Sequence, residues 1–453
     1  MRTVRPDPVA FAVRWWSAGS LRAVRLSLLT IAAAITSAAL LLGGCAATPE
    51  PESAPASGES SGPIPEPADA SADPSARLGW GPTVGELQQA QAIVAEMSSE
   101  QLAGQVIVGR YLGTDPNEVA TMLREQHLAG ISITNGNVVD EAQVRAMTAA
   151  LTQASLDDGR TYPPVLGVDQ EGGYVSHLRG IATEFPAFDA AGAAIEADGP
   201  SGREIVRRAA YATGLELRDL GFTWVFAPVA DVTIGAADPT IGTRSASEDP
   251  AIAAKATAAA VRGFDAAGVV STVKHFPGHG AATSDSHDTL PVLDSTLAEI
   301  KTHDLPPFEA AIAAHAPAVM LSHLDLTAIA PGVPASLAPA VYDLLRTDLG
   351  FEGVTITDSL GMGAVASSYK PAVAALNAGA DLLLMPDDTV ETHRVVTRAV
   401  DEGDIPRARI EEAAARIVAL QLWQQRAAAQ APLPADLSAV AQDAAAALVA
   451  AGY

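Results

Sequence analysis

The sequence predicts an α/β fold, a (β/α)8 TIM barrel forming one catalytic domain over residues 80–426. Three observations carry that prediction. Eight short runs are continuously apolar, stretches of helical pattern separate them, and polar residues suited to chemistry stand at the ends of five runs. Continuous apolarity is what a strand buried on both faces requires, where a half-exposed strand would alternate. Strand–helix alternation repeated eight times closes into a barrel. A doubly wound open sheet is the alternative, but no glycine-rich phosphate loop follows any run.

The chain ahead of the barrel has its own pattern. Arg2, Arg5, Arg14, Arg22 and Arg25 make a basic head, and the uncharged run LSLLTIAAAITSAALLL follows from Leu26 to Leu42. Gly43 and Gly44 then lead into Cys45, the one cysteine present. A basic start, an apolar middle and small residues at the end make a secretory signal. A lone cysteine placed directly after the small residues argues against an uncleaved spanning helix. The stretch resembles a bacterial lipobox. That resemblance implies a signal peptide over 1–44, lipidation at Cys45, and a membrane anchor on the outer face of the bacterial cytoplasmic membrane. Without a second cysteine the exported chain has no disulfide framework, so stability rests on the core. Residues 46–76 hold seven prolines and six acids with no base. The lipidated cysteine and a disordered acidic tether are therefore expected over 45–79.

The strand candidates follow in order: QVIVGR (105–110), AGISIT (129–134), PPVLGVD (163–169), FTWVFAPVADV (222–232), GVVSTVKHF (268–276), APAVMLSH (316–323), GVTITDS (353–359) and ADLLLMP (380–386). Helical patterns lie between them, clearest at 117–126, 141–154 and 250–268. Residues 427–453 are expected to add a linker and a terminal helix. The formal net charge is −25, and removing residues 1–44 takes away five Arg and one Asp to leave −29. Such an acidic chain is a poor partner for nucleic acid or anionic lipid through its folded surface.

Barrel enzymes place their chemistry at the C-terminal ends of strands. Asp169 ends the third run, Asp231 the fourth, Lys274 and His275 the fifth, His323 the sixth and Asp358 the seventh. Such residues converge on one mouth. A carboxylate there is either a salt-bridge partner or a nucleophile toward saturated carbon, kept ionised by nearby Lys274. The stretch KHFPGHGAATSDSHDTLP (274–291) concentrates three of the nine histidines. Within it Asp285 and His287 have the i, i+2 spacing of one extended loop. An aspartate beside an imidazole fixes its tautomer and supports acid–base work, a role that a second carboxylate plays in many glycosidases. The other reading is a solvated loop with an incidental histidine. His275 and His279 are also spaced like metal ligands, but Pro277 and two glycines break the helix that spacing needs.

Six segments, GVDQEGG (167–173), FAPVADV (226–232), IGTRS (241–245), KHFPGHG with DSH (274–287), GFEGVTITDSLGM (350–362) and ALNAGADLLLMP (375–386), together resemble glycoside hydrolase family 3. The DSH stretch resembles its β-N-acetylhexosaminidase branch, and the chain ends too soon after the barrel for the further domain that supplies the acid elsewhere in the family. The resemblance implies Asp358 as nucleophile, His287 as acid/base and Asp285 as its partner. It places Asp169, Arg244, Lys274 and His275 on the sugar hydroxyls. The implied reaction removes a terminal β-linked N-acetylglucosamine with retention, with no metal or organic cofactor. One departure stands out: Tyr174 and His177 occupy positions where the family commonly has arginines. His177 or Arg179 is expected to replace the second of them in sugar binding. His279 reads as a structural member of its loop and His323 as support for the site. The alternatives are a β-glucosidase or β-xylosidase, a phosphorylase, or a non-catalytic cell-wall binding lipoprotein. The expected setting is the cell envelope, on peptidoglycan fragments or related glycans, as a monomer.

Overall fold

The computed structural model describes residues 73–452 apart from Pro239, Thr283, Ser367 and Tyr369. The signal peptide, Cys45 and the tether up to residue 72 lie outside the described residues.

All eight expected runs supply a strand: β1 Ile107–Gly109, β2 Gly130–Ile133, β3 Val165–Val168, β4 Trp224–Val225, β5 Val270–Phe276, β6 Ala318–Leu321, β7 Val354–Thr357 and β8 Leu383–Leu384. Each is buried along its whole length, as continuous apolarity requires. Neighbours pair in parallel in the order β7-β6-β5-β4-β3-β2-β1-β8, and a parallel bridge between Ile356 and Leu382 joins the two ends. The sheet is therefore a near-closed (β/α)8 barrel. Several runs yield only a short ladder. The run 222–232 gives two paired residues before Pro228, which has no N–H to donate. Its continuation is tied back less regularly, by the Phe226 N–H to Val168 O at 3.0 Å, the Thr272 N–H to Ala227 O at 2.9 Å and the Val229–Lys274 bridge.

The intervening helices start and stop where local chemistry allows. The helix Pro116–Glu125 opens on Asp115, whose side chain accepts from the Asn117 N–H. The helix Pro250–Ala267 opens on Asp249 with proline in its first turn, and ends on Gly268 at φ 71°. Alanine dominates the face that meets the helix Gly199–Asp219, which permits close approach.

Both expected domain boundaries move. The last barrel helix, Arg407–Gln430, runs straight through the 426/427 boundary, with Ile410 to Gln424 largely buried. The terminal helix Leu437–Gly452 is no appendage. It packs on the helices Asp189–Ala197 and Gly199–Asp219 through Ala441, Ala444, Ala445 and Leu448. At the other end the tether stops before residue 79. The Val84 N–H donates to Ala76 O at 2.9 Å, the Leu78 N–H donates to Pro82 O at 2.7 Å, and Trp80 is buried.

Candidate active site

The ends of β3, β5 and β7 build the site. Asp169 follows β3 directly, Lys274 and His275 lie in the last turns of β5, and Asp358 follows β7. A buried ammonium demands charged partners. Lys274 Nζ has two, Asp169 Oδ1 at 2.5 Å and Glu171 Oε1 at 2.6 Å. Glu171, only 2% exposed, also receives the fork of Arg244, Nε at 2.8 Å and Nη2 at 2.9 Å. Burial raises the Glu171 carboxyl, but Lys274 and Arg244 outweigh it and bring the pKa down to about 2. Burial lowers Lys274, and the charges of Asp169 and Glu171 reverse that to leave it above its ordinary value. The result is a rigid, charged floor in which both cations keep their charge.

Asp231 does a different job from that of a mouth residue. It is fully buried, and accepts from the N–H groups of His275 at 3.0 Å and His279 at 2.7 Å. Its Oδ2 lies 2.7 Å from His275 Nδ1, which leaves Nε2 as the ring nitrogen free for ligand. Asp231 thus fixes the strand end that carries Lys274 and His275.

Asp358 is half-buried, with Oδ1 accepting the Ser359 N–H at 2.7 Å. Burial raises its carboxyl; His275, His323, the Ser359 N–H and Lys274 outweigh this and bring it to about 2. Lys274 contributes less than expected because its ammonium faces Asp169 and Glu171. His323 is fully buried, and burial pushes its imidazole down. Its Nε2–H donates to Ser359 O at 3.0 Å and its Nδ1 lies 2.6 Å from Ser336 Oγ, which braces the residue after Asp358.

The loop after β5 brings Asp285 and His287 together. His287 Nδ1 lies 2.7 Å from Asp285 Oδ1, and the same oxygen accepts the His287 N–H at 2.9 Å. Burial raises Asp285, but those two bonds outweigh it and lower its carboxyl. Nδ1 being engaged, Nε2 is the nitrogen available for proton transfer. The loop is tied to the segment beyond Asp358: the Gly363 N–H donates to His287 O at 3.0 Å and the Ala364 N–H to Ser286 O at 3.3 Å. Among the described residues no group of three or more His, Cys, Asp or Glu could hold a metal ion.

The glycosyl hydrolase family 3 N-terminal domain matches residues 84–420, which span the barrel and every residue placed above. The chain belongs to glycosyl hydrolase family 3. It is similar to a β-hexosaminidase of Stenotrophomonas maltophilia, 38% identical over 267 residues, covering 58% of this chain and 77% of that relative. It is also similar to β-hexosaminidase LpqI of Mycobacterium tuberculosis, 32% identical over 345 residues, covering 71% of this chain and 82% of LpqI. Among solved structures, a family 3 β-N-acetylglucosaminidase from Paenibacillus superposes with a TM-score of 0.69 at 32% identity, covering 77% of this chain and 68% of that one.

Within this family 3 site the departures at 174 and 177 take definite places. His177 Nε2 stands 3.9 Å from Asp169 Oδ2, too far for a hydrogen bond but beside that carboxylate. Burial lowers its imidazole, so it is neutral at pH 7. Arg179 turns away, donating to Gly173 O at 2.7 Å and pairing with Glu184 at 3.8 Å. His177 is therefore the better placed of the two. Tyr174 is 61% exposed, its hydroxyl 3.4 Å from Ile241 O. Sequence reasoning passed over Glu171. Its signal was an acid only three residues past a strand end, beside two glycines at the turn of a hairpin between Gln170–Gly172 and Val175–Ser176.

Proposed function

We propose that this family 3 glycoside hydrolase is a retaining, exo-acting β-N-acetylglucosaminidase that acts on cell-wall fragments or related aminosugar glycans. The observation that carries the reading is the pairing of a half-buried, ionised Asp358 with an Asp285–His287 dyad on a loop hydrogen-bonded to the segment just beyond it. The relatives named β-hexosaminidase support the sugar.

In the proposed cycle the Asp358 carboxylate attacks the anomeric carbon while the glycosidic C–O bond breaks. The His287 imidazolium gives its Nε2 proton to the departing oxygen, and the Asp285 carboxylate holds Nδ1–H throughout. The now neutral His287 then takes a proton from water, whose oxygen attacks the anomeric carbon and releases Asp358. Asp169, Lys274, Arg244, His275 and His177 are assigned to the sugar hydroxyls. Transfer to phosphate is disfavoured by charge. Lys274 and Arg244 are already paired with Asp169 and Glu171, and the carboxylates of Asp285 and Asp358 add further negative charge. The basic head and apolar run ahead of Cys45, and the acidic segment after it, support an enzyme anchored by lipid on the outer face of the cytoplasmic membrane; a monomer is proposed with it.

The test uses residues 73–453 on 4-nitrophenyl N-acetyl-β-glucosaminide and the matching glucoside. Preference for the first, and a loss of at least about a thousandfold in kcat for Asp358→Asn, are expected of a lost nucleophile. Preference for the glucoside would sink the assignment of the sugar while leaving Asp358 as nucleophile. Added phosphate is expected to leave the product as free sugar.

A further inference from the structure

His279 is a buried histidine that the catalytic cycle above does not use, and Ser286 is the middle residue of the Asp285–His287 dyad. The two meet: His279 Nε2 lies 3.0 Å from Ser286 Oγ. We propose that this contact is the latch that positions the acid/base, and that His279 and Ser286 are positioning residues for proton transfer by His287. The proposal rests on reading His287 as the acid/base.

Burial in the loop alternates sharply. The side chains of Asp285 and His287 are 45% and 67% exposed, while Ser286 between them is only 3% exposed. The dyad therefore faces outward and the serine points into the protein. A buried hydroxyl costs free energy unless it is bonded, and the partner it finds is His279. Ser286 also accepts the Ala364 N–H through its carbonyl. It is thus held on one side by the segment beyond Asp358 and on the other by the loop from β5.

His279 is a firm anchor. Its N–H donates to Asp231 Oδ1 at 2.7 Å, and its ring meets the His275 ring edge-on with centroids 5.9 Å apart. Gly280 lies so close to the backbone that a Cβ there would stand 2.2 Å from Val232 O. Among the described residues Ser286 Oγ is the side-chain partner of the ring, and Nδ1 is buried without a hydrogen-bond partner. A bare nitrogen is less costly to leave unpaired there than an N–H, so the proton belongs on Nε2 and is donated to Ser286 Oγ. Burial pushes the imidazole down, in keeping with a neutral ring. One carboxylate, Asp231, thereby fixes both His275, assigned to the sugar, and His279, which holds the acid/base loop. The sugar and its proton donor are referenced to the same rigid strand end.

The experiment compares the full chain with Ser286→Ala, His279→Ala and His279→Gln. Glutamine keeps an N–H donor at similar reach. The substrates are the 4-nitrophenyl glycoside, whose leaving group needs little acid help, and the N,N′-diacetylchitobiose disaccharide, whose leaving sugar needs it. kcat/KM reports the step that breaks the glycosidic bond. For Ser286→Ala and His279→Ala it is expected to fall about tenfold on the disaccharide, the scale of one lost positioning hydrogen bond. It should change less than about threefold on the 4-nitrophenyl substrate, and His279→Gln should recover most of the loss. Azide, which needs no base to attack the glycosyl-enzyme, should yield glycosyl azide with the two alanine variants. Equal losses on both substrates, or none, in a protein whose wild type cleaves both would overturn the latch alone. A folded wild type that cleaves neither substrate would overturn the functional reading and the latch with it.

Discussion

A carboxylate half-buried at the end of a strand stays readily ionised only when its surroundings replace the water it has lost. For Asp358 that replacement is an N–H bond and neighbouring positive charge, and it holds the pKa at about 2. Its folded value lies below the unfolded reference of about 3.9, so its contribution to stability is complete above roughly pH 4 and is lost as pH falls through about 2. The acid limb of activity above pH 4 is therefore expected to come from a group other than the nucleophile, which a kcat/KM profile between pH 4 and 8 checks. Glu171 carries the second prediction at this scale. It is the shared partner of Lys274 and Arg244, both assigned to the sugar. Glu171→Gln would leave two buried cations with a neutral neighbour, at a cost of about 3–5 kcal/mol in stability. Thermal unfolding should show that loss, and KM should rise as the two side chains lose their alignment. Asp169, Lys274 and Asp358 were legible because an ionisable residue at the end of an apolar run is conspicuous. Glu171 was not, because an acid beside two glycines reads equally well as an exposed turn. Only the hairpin that folds it under Arg244 buries it.

Among elements, the barrel strands were legible and their lengths were not. A run of apolar residues records burial on both faces, which is why 222–232 announced a strand. How many of its residues pair is decided by backbone hydrogen bonding, and Pro228 cuts β4 to Trp224–Val225. Helix ends marked by an Asp cap or a glycine were readable to within a few residues. The boundary at 426/427 was misplaced because alanine-rich sequence continues across it, and alanine suits both a tight helix–helix face and a loose tail. The dyad loop is the element on which function turns. Gly363 contacts it so closely that a Cβ there would stand 2.6 Å from Asp288 O and 2.8 Å from His287 O. Both atoms are backbone and cannot rotate aside. Gly363→Ala is therefore expected to push the loop outward and lower kcat on a sugar leaving group by tenfold or more, on the scale of ångström misplacement of a catalytic group. The melting temperature should move little, because the dyad itself is largely exposed, Asp285 at 45% and His287 at 67%. A fall in melting temperature with unchanged kcat would show that the loop had adapted and the barrel had not.

At the scale of the molecule, a barrel must hold its last strand against its first and its seventh, and the N-terminal face shows how this one does so. Asp381, the residue before the closing bridge at Leu382, has no solvent exposure and accepts from three guanidinium groups. Arg346 donates at 2.7 Å, Arg409 at 3.1 Å and Arg416 at 3.2 Å. The Thr355 N–H, in β7, donates to the same carboxylate at 3.0 Å. Arg409 and Arg416 come from the last barrel helix, so one side chain ties β7, the start of β8 and the outer helix together across the seam. This end of a (β/α)8 barrel carries stability while the opposite end carries chemistry. Burial raises the Asp381 carboxyl, but Arg416, Arg346 and Arg409 outweigh it and hold it at about 2. Asp381→Asn would leave the three cations with Glu412 as their remaining charged partner, and a loss of about 3–5 kcal/mol is expected from uncompensated buried charge. The same sign argument sets its pH window. The wild-type advantage should be full above about pH 4 and shrink as pH falls toward 2, so the two proteins' stabilities should converge in acid. At temperatures where the variant is still folded, its KM and kcat should match the wild type, because the seam lies at the end of the barrel away from Asp358. A changed KM in the folded variant would mean that closure of the barrel also sets the spacing of the mouth.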